Sequence, residues 1–296
     1  MSHLPEDQLS IAEALAAARS HGVDRLDAQL MLAALLDRPR SWLIAHDDEP
    51  LDQTQGAVFA QWLRRRRDGE PLAYLLGEKE FHGLMLRVDP SVLIPRPETE
   101  LLVDWGLRVL EARPSGSAGC RVIDLGTGSG AIALSIKHDC QAAEVTAVDA
   151  SPTALATAGR NSQALNLPIT LARGSWWDAV PDQRFDLALA NPPYIAAGDD
   201  HLAALRHEPQ SALIALENGL ADLDRIIAGA PVHLAAGGWL LLEHGHDQAT
   251  WVRQRLAGAG FTQVQTLRDL AGIERCTGGR ALPATTSAFR VVFPAV

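Results

Sequence analysis

Apolar residues in the first quarter of the chain recur every three or four positions, which is the spacing of one face of an α-helix. Ser10 and Glu13 have the spacing of a capping box, in which each side chain bonds the backbone N–H of the other. A helix is therefore predicted to begin at Ser10 and to run through Leu15 and Ala18. A second helix, which stops before Pro39, is indicated by the apolar series Leu26, Leu30, Ala33 and Leu36.

A third helix is predicted from Asp52 to Asp68. Its inward face is formed by Phe59, Trp62 and Leu63. The last turn carries four consecutive arginines, Arg64 to Arg67. They suit a solvated helix end, where cations interact favourably with the helix dipole, and they equally suit a docking patch for an RNA-associated partner.

Residues 75–110 have a pattern of their own. The stretch from Glu80 to Val88 surrounds Gly83 with alternating apolar residues, so a β-hairpin is predicted there. Leu93 to Glu100 reads as an extended, proline-stiffened lead into a helix whose first turn carries acidic residues. Arg96 stands between two prolines and is held rigidly, so it is expected to meet a carboxylate.

From Arg121 onward, short apolar runs alternate with helical patterns, which is typical of a parallel sheet covered by helices on both faces. The fold class is therefore α/β. Strands are predicted at residues 121–125, 144–149, 169–172, 185–190, 238–243 and 287–293. The stretch from Gly278 to Pro283 is predicted to be a loop before the last strand.

Bulk properties narrow the class of protein. A chain of 296 residues is long enough for two domains. Its net charge of −10 and pI near 5.4 argue against a general polyanion binder, so no direct nucleic-acid partner is expected. The three cysteines, Cys120, Cys140 and Cys276, form no C-x-x-C and are predicted to be reduced thiols. With no secretory leader or membrane-spanning run, we expect a cytoplasmic protein without a membrane partner.

A glycine-rich turn follows the first predicted strand. Gly126, Gly128 and Gly130 let the backbone pass close to a ligand, and the helix after them begins with free N–H groups. The next strand ends at Asp149, about 20 residues further on, where a ribose-binding acid belongs. This spacing also fits the dinucleotide pattern, because Ala131 can replace its third glycine.

The stretch Asn191-Pro192-Pro193-Tyr194 follows the predicted strand at 185–190, and ligands bind outside such strand ends in doubly wound sheets. An amide oxygen, two prolines that lack N–H donors and a flat aromatic ring suit a planar NH2 group. The stretch resembles the (Asp/Asn)-Pro-Pro-(Tyr/Phe) motif of enzymes that methylate a nitrogen conjugated to a carbonyl or an aromatic ring. Together with Asp124 and the glycine alternation, it favours S-adenosylmethionine over NAD as cofactor.

Over nearly its whole length the chain resembles the PrmC/HemK family of peptide chain release factor glutamine methyltransferases. The matching stretches are Leu93 to Glu100, Asp124 to Ala133, Asn191 to Ile195, His207 to Pro209 with Ala212 and Leu213, and Leu242 to Gly245. The resemblance implies a helical substrate-docking domain over residues 1–75, a hairpin linker and connecting helix over 76–110, and a Rossmann-like class I methyltransferase domain over 111–296. It also implies a seven-stranded sheet with its final strand antiparallel.

The same resemblance implies the substrate, the glutamine of a Gly-Gly-Gln motif in bacterial-type release factors, and so a role in modulating translation termination. It places the methionine part of the cofactor on the loop residues Gly126, Thr127, Gly128, Ser129 and Gly130. Asp149 would hold the ribose and Trp176 the adenine, although adjacent Trp177 leaves that assignment open. Asn191, Pro192, Pro193 and Tyr194 would hold the glutamine, with Asn191, Pro192 and Tyr194 as the catalytic residues and Asn191 also beside the cofactor.

Three other functions are compatible with the sequence. A glutamine methyltransferase of a ribosomal protein would share the Asn-Pro-Pro-Tyr core, and an adenine-N6 methyltransferase of nucleic acid would use the same amino-group clamp. A binding module would keep the cofactor pocket only as a structural feature without catalysis.

His244 and His246 lack a third ligand, so no metal is expected. His207 and Glu208 suit either proton removal or a helix start beside Pro209.

Overall fold

The computed structural model describes residues 9–113 and 119–282. The amino-terminal part is helical: α1 (Ile11–Ser20), α2 (Arg25–Leu36), α3 (Arg40–Ala45), α4 (Gln53–Arg67) and α5 (Leu72–Leu76). The predicted capping box of α1 is present, with Ser10 and Glu13 bonded reciprocally. A second capping box, formed by Asp52 and Gln55, begins α4. Buried apolar residues such as Met31 and Phe59 fill the space between the helices.

The hairpin follows directly, as β1 (Glu78–Phe81) and β2 (Leu84–Arg87). Its turn contains Gly83, as predicted, and both turn residues have positive φ. A 3-10 turn, Pro97–Thr99, then leads into α6 (Glu100–Glu111). The limits of the three expected segments, 1–75, 76–110 and 111–296, stay a prediction.

The remaining elements alternate strands and helices. They are β3 (Arg121–Leu125), α7 (Ala131–Asp139), β4 (Glu144–Asp149), α8 (Pro152–Leu165), β5 (Thr170–Arg173), β6 (Phe185–Ala190), β7 (Ile195–Ala196), β8 (Ile214–Ala215), α9 (Leu216–Gly219), α10 (Ala221–His233), β9 (Leu234–Glu243), α11 (Ala249–Gly258), β10 (Thr262–Arg268) and β11 (Glu274–Arg280).

Seven of the strands form one sheet in the order β10-β11-β9-β6-β3-β4-β5. β3 pairs in parallel with both β4 and β6, so the chain leaves β3 toward one edge and later returns to its other side. β11, the last of these seven strands along the chain, runs antiparallel to both of its neighbours, β9 and β10. The predicted α/β fold with an antiparallel final strand is therefore confirmed. The reversal of strand order beside β3 opens a crevice at the carboxyl ends of β3 and β6.

Alternate side chains of the central strands point to opposite faces of the sheet, as the period of a strand requires. Val122 and Leu187 pack with α6 and α7 in one apolar cluster. Ile123 and Ala188 pack with α10 and α11 in another. The central strands are thus buried on both faces, which explains why their sequences are almost continuously apolar.

Two parts of the strand prediction were wrong. β10 was not predicted, and Gly278 to Arg280, predicted as a loop, belong to β11. Position 278 has no room for a side chain, because a Cβ on Gly278 would lie 2.5 Å from Leu241 and 2.9 Å from Trp105. This part of the strand therefore carries glycine in place of the β-branched and aromatic residues by which strands are predicted. The strand predicted at 287–293 lies outside the described residues.

Within residues 9–113 and 119–282, no helix combines the length and the hydropathy needed to cross a membrane.

Candidate active site

The glycine-rich loop after β3 is held by its own hydrogen bonds. The N–H groups of Gly126 and Thr127 both donate to the carbonyl of Val148, at 2.9 and 2.8 Å. The N–H of Gly128 donates to Asp149 Oδ2 at 2.9 Å. All three glycines of the loop have positive φ, and nothing lies within 4 Å of a Cβ built on Gly128. These N–H groups are therefore not free for a ligand, and the loop acts as a rigid, open cradle.

Asp124 is the buried anchor of this loop. Its Oδ2 accepts from the hydroxyl of Thr127 at 2.6 Å and from the N–H of Ala133 at 3.2 Å. Burial raises the pKa of Asp124 to about 7, against the opposing effect of these two hydrogen bonds. Thr127 and Ser129 are also buried and do not line the cleft, so their predicted contact with the cofactor stays a prediction.

Asp149 ends β4 on the cleft side of the loop. One oxygen accepts from Gly128 N–H and the other from Ser151 N–H at 2.8 Å, which fixes the carboxylate while leaving further lone pairs free. A fixed carboxylate with spare acceptor capacity is suited to a ribose diol. The assignment of Asp149 to the ribose stays a prediction.

The two adjacent tryptophans have opposite environments. Trp176, in a left-handed backbone conformation, lines the cleft and donates from Nε1 to Asp222 Oδ1 at 3.1 Å. A Cβ on Gly126 would lie 3.0 Å from its ring, so the indole lies across the loop glycine. Trp177 is buried, donates to the carbonyl of Ile226 at 2.9 Å and stacks on His233. Of the two tryptophans, Trp176 alone lines the cleft, and its contact with adenine stays a prediction.

Asn191 begins the loop after β6 and lines the same cleft as Gly126 and Gly128. Its Nδ2 donates to the hydroxyl of Thr99 at 3.2 Å. Pro192 is buried, and Pro193 lines the cleft beside Asn191. The hydroxyl of Tyr194 donates to Glu243 Oε1 at 3.4 Å.

Glu243 ends β9 and is fully buried. Burial raises the pKa of Glu243 to about 7, whereas hydrogen bonds from Thr99 and Tyr194 and the charge of Arg275 act in the other direction. Burial also raises the pKa of Tyr194, and so does the nearby charge of Glu243. Sequence reasoning missed Thr99 and Glu243 as site residues, although both lie in the matching stretches Leu93 to Glu100 and Leu242 to Gly245.

The other wall of the cleft comes from the linker and from the segment between β7 and β8. Val92 and Leu93 face Pro209 and Ala212 there. The two sides are joined by the buried Glu208, which pairs with Arg96 and accepts from the N–H of Ile94 at 3.1 Å. Arg96 thus pairs with the carboxylate of Glu208, and this pairing connects the two sides of the wall. The choice between proton removal and a structural role for Glu208 stays a prediction.

These elements enclose a cleft of about 270 Å³ at the carboxyl ends of β3, β4 and β6. A larger groove of about 590 Å³ lies beside Trp105, Trp239 and Arg280. It is at the opposite end of the parallel strands and has neither the loop nor the amide group, so the smaller cleft is the candidate site. Its set of groups, an open glycine cradle, a fixed carboxylate and an indole face, fits an amino-acid-linked adenosine such as S-adenosylmethionine.

No cluster of three or more His, Cys, Asp or Glu side chains that could hold a metal was found in the described part of the chain. His244 is buried and its Nε2 is 2.8 Å from the hydroxyl of Thr277. Burial lowers the pKa of His244. The expectation of no metal stays a prediction, and elemental analysis of the purified protein would test it.

The protein is a class I methyltransferase, whose methyl donor is S-adenosylmethionine. This class is defined by the order of the strands in the sheet, the glycine-rich loop and the Asn-Pro-Pro-Tyr stretch. A solved methyltransferase from Pyrococcus furiosus has the same fold, with a TM-score of 0.52 and 19% identity over 68% of this chain and 90% of that one. Residues 7–77 match the family described as PrmC N-terminal domain, and residues 100–219 match the methyltransferase small domain.

Comparison with curated relatives identifies a narrower family within this class. The chain is 49% identical to a release factor glutamine methyltransferase of Bordetella pertussis, over 87% of this chain and 95% of the relative. It is 43% identical to one of Salmonella typhimurium, over 92% and 97% of the two chains. The protein belongs to the release factor glutamine methyltransferase family, and the predicted family is confirmed.

Proposed function

We propose that this protein transfers the methyl group of S-adenosylmethionine to the side-chain amide nitrogen of the Gly-Gly-Gln glutamine in bacterial-type peptide chain release factors. The observation that carries the proposal is the position of Asn191, which directly follows a central strand and lines the same cleft as Gly126 and Gly128 of the glycine-rich loop. Family membership supplies the substrate class. The methylation would modulate translation termination.

The cofactor would lie along the edge formed by β3 and β4. Its methionine part would follow the loop from Gly126 to Gly130, its ribose would reach Asp149, and its adenine would rest on Trp176. Gly126, Gly128, Asp149 and Trp176 all line the cleft, which supports this placement. Asn191 would then lie next to the transferable methyl, opposite the loop.

The glutamine amide would enter from the side of Pro193. Asn191 Oδ1 and the Pro192 carbonyl would accept its two hydrogens, while the ring of Tyr194 would pack against the amide plane. An amide nitrogen is a poor nucleophile because its lone pair is delocalised, whereas the sulfonium methyl needs in-line attack. Placement of the nitrogen is therefore the main requirement, and such placement can account for roughly 7 to 11 kcal/mol of a barrier.

The two acceptors would also draw electron density out of the N–H bonds and so raise the nucleophilicity of the nitrogen. No histidine or cysteine is required as a nucleophile. Cys120, Cys140 and Cys276 are all buried, and burial raises the pKa of the Cys276 thiol well above its usual value. We further propose a cytoplasmic protein with no direct nucleic-acid or membrane partner, consistent with the net charge of −10.

The test is methyl transfer from labelled S-adenosylmethionine to a purified release factor, beside the same factor with its Gly-Gly-Gln glutamine changed to alanine. Label on the native factor alone is the expected result. Label on both factors would contradict the acceptor residue. Label on neither would overturn the substrate assignment, and ribosomal proteins and adenine-containing nucleic acids would be assayed next.

A further inference from the structure

Two buried residues outside the Asn-Pro-Pro-Tyr stretch form a hydrogen-bonded chain that ends at Asn191. Thr99 comes from the turn before α6, and Glu243 ends β9. Asn191 Nδ2 lies 3.2 Å from the Thr99 hydroxyl, and Thr99 in turn bonds the carboxyl group of Glu243. Tyr194 reaches the same carboxyl group at 3.4 Å. Both Thr99 and Glu243 are almost fully buried, so water cannot substitute for these partners.

The number of hydrogen atoms that these side chains can donate fixes which residue donates in each hydrogen bond. A threonine hydroxyl has one hydrogen to donate, and an ionised carboxylate can only accept. When Glu243 is ionised, the Thr99 hydrogen is committed to it, and the Thr99 oxygen can only accept from Asn191. The NH2 of Asn191 must therefore turn toward Thr99, which turns Oδ1 away from Thr99 and toward the cleft that Asn191 lines.

We infer that Thr99 and Glu243 are positioning residues that hold the Asn191 side-chain amide with its oxygen facing the substrate, and that this orientation requires ionised Glu243. The inference rests on the proposed function, because an acceptor oxygen is useful only if the substrate presents an N–H. A flipped Asn191 would set its own NH2 against the amide hydrogens of the glutamine, donor against donor. Misplacement of the acceptor nitrogen would then slow the reaction on the order of a hundredfold.

Protonation of Glu243 reverses the donor and acceptor roles in these hydrogen bonds. A neutral carboxyl group can donate to the Thr99 oxygen, which frees the Thr99 hydrogen to donate to Asn191 Oδ1 and holds that oxygen away from the substrate. The charged and titratable groups that act on Glu243 are Tyr194 after β6, Arg275 on β11 and Glu98 before α6. Cys276 on β11 also feels its charge. Because burial raises the pKa of Glu243 to about 7, turnover is expected to rise with pH through that value.

The first experiment compares Thr99→Val, which has the same shape without the hydroxyl, with Thr99→Ser, which keeps it. Thr146→Val is the matched control, since Thr146 is a buried threonine on β4 that takes no part in the hydrogen bonds of Thr99 and Glu243. We expect Thr99→Val to lower kcat on the order of a hundredfold with little change in cofactor affinity, Thr99→Ser to recover most of that loss and Thr146→Val to show neither effect. Wild-type kcat in Thr99→Val would overturn the inference.

The second experiment does not depend on turnover. The side-chain NH2 signal of Asn191 in a 15N spectrum is assigned by its disappearance in Asn191→Asp. It is expected to exchange slowly with solvent in the wild type and in Thr99→Ser, and quickly in Thr99→Val. The pH profile of kcat supplies a third readout, because the rise through about 7 should disappear in Glu243→Gln.

These readouts separate the two hypotheses. If the wild type methylates release factor but Thr99→Val changes neither kcat nor the Asn191 signal, the positioning role is wrong and the proposed function stands. If the Asn191 signal responds as expected but no release factor is methylated, the hydrogen-bonded chain stands and the proposed substrate is wrong.

Discussion

Single residues decide the chemistry of this site through what they offer to a hydrogen bond. Asn191 contributes one acceptor oxygen and one donor group, and the donor group is occupied by Thr99. Asp149 has both oxygens bonded to backbone N–H groups and still has free lone pairs. The residue types are common ones, and their value to a methyltransferase comes from which of their atoms are already occupied.

Asn191→Ala is expected to remove most turnover while leaving cofactor affinity largely intact. The alanine keeps the backbone and the prolines but removes the acceptor that would hold the glutamine amide, an effect of the order of 10² to 10³ in rate by analogy with loss of one transition-state hydrogen bond. The measurement is kcat with saturating cofactor, beside cofactor binding by calorimetry. A mutant with near-normal kcat would remove Asn191 from the mechanism.

Glu243→Gln is expected to change how stability depends on pH. The folded-state pKa of Glu243, about 7, lies above its ordinary value of 4.5, so the folded protein binds this proton more tightly than the unfolded chain. The stabilisation is complete below about 4.5 and is lost as pH rises to about 7. The free energy of unfolding of the wild type should therefore fall by a few kcal/mol across this window, on the order of 1.4 kcal/mol per pKa unit, and by less in Glu243→Gln.

Urea unfolding at a series of pH values from below 4.5 to above 7 provides the measurement. Asp124, whose pKa burial also raises to about 7, contributes to the same slope, so the double variant with Asp124→Asn should be flatter still. Equal slopes in wild type and Glu243→Gln would contradict the buried, proton-binding state of Glu243.

At the scale of elements, the short turns between strands place the site. The 3-10 turn Trp176–Ala179 puts two identical side chains in opposite environments, one on the cleft and one between α10 and the sheet. A Cβ on Gly229 would lie 2.2 Å from the ring of Trp177, which shows how closely α10 approaches it. The 3-10 turn before α6 likewise delivers Thr99 to Asn191 from a distant part of the chain.

Trp176→Ala and Trp177→Ala are therefore expected to differ in kind. Trp176→Ala should weaken cofactor binding with little loss of stability, because its ring is partly exposed and faces the cleft. Trp177→Ala should cost about 3 to 5 kcal/mol of folding free energy, as large-to-small changes in a core do. Calorimetric titration of the cofactor and urea unfolding of both variants make the comparison, and the opposite pattern would assign the adenine to Trp177.

The whole molecule is arranged around one boundary between the amino-terminal helices and the sheet domain. Arg206 donates to the carbonyl of Asp68 at the end of α4, and Glu208, two residues on, joins Arg96 of the linker. The cleft wall is thus built from both sides of this boundary.

Three of the four arginines near the end of α4 have acidic partners: Arg65 with Glu70, Arg66 with Asp27 and Arg67 with Asp68. These pairings favour a solvated helix end over a docking patch for an RNA-associated partner.

Glu208→Ala is expected to destabilise the protein by about 3 to 5 kcal/mol and to weaken cofactor binding, because it leaves the charge of Arg96 without its buried partner and frees the wall of the cleft. Arg225→Ala is the matched control. It breaks an exposed pair with Asp178 and should cost about 0 to 1 kcal/mol. Thermal unfolding with and without cofactor measures both, and equal effects would show that Glu208 does not hold the wall.

The sequence by itself determined the fold class and the positions of the glycine-rich loop and of Asn191 at the ends of central strands. Helix starts such as Ser10 and the buried strands β3, β4 and β6 are local patterns, because capping and two-sided burial leave their mark on adjacent residues. The loop glycines and Asn191 follow those strands directly. For such features, position along the chain is enough to place the residue at the crevice.

Only the tertiary structure decided what depends on contacts between distant residues. It placed Trp176 rather than Trp177 on the cleft, and it joined Thr99, Asn191 and Glu243 across three segments of chain. It also made a strand of Gly278 to Arg280, where close packing against Trp105 excludes the side chains by which strands are recognised. These outcomes are set by packing geometry, which no local pattern of hydrophobic and polar residues records.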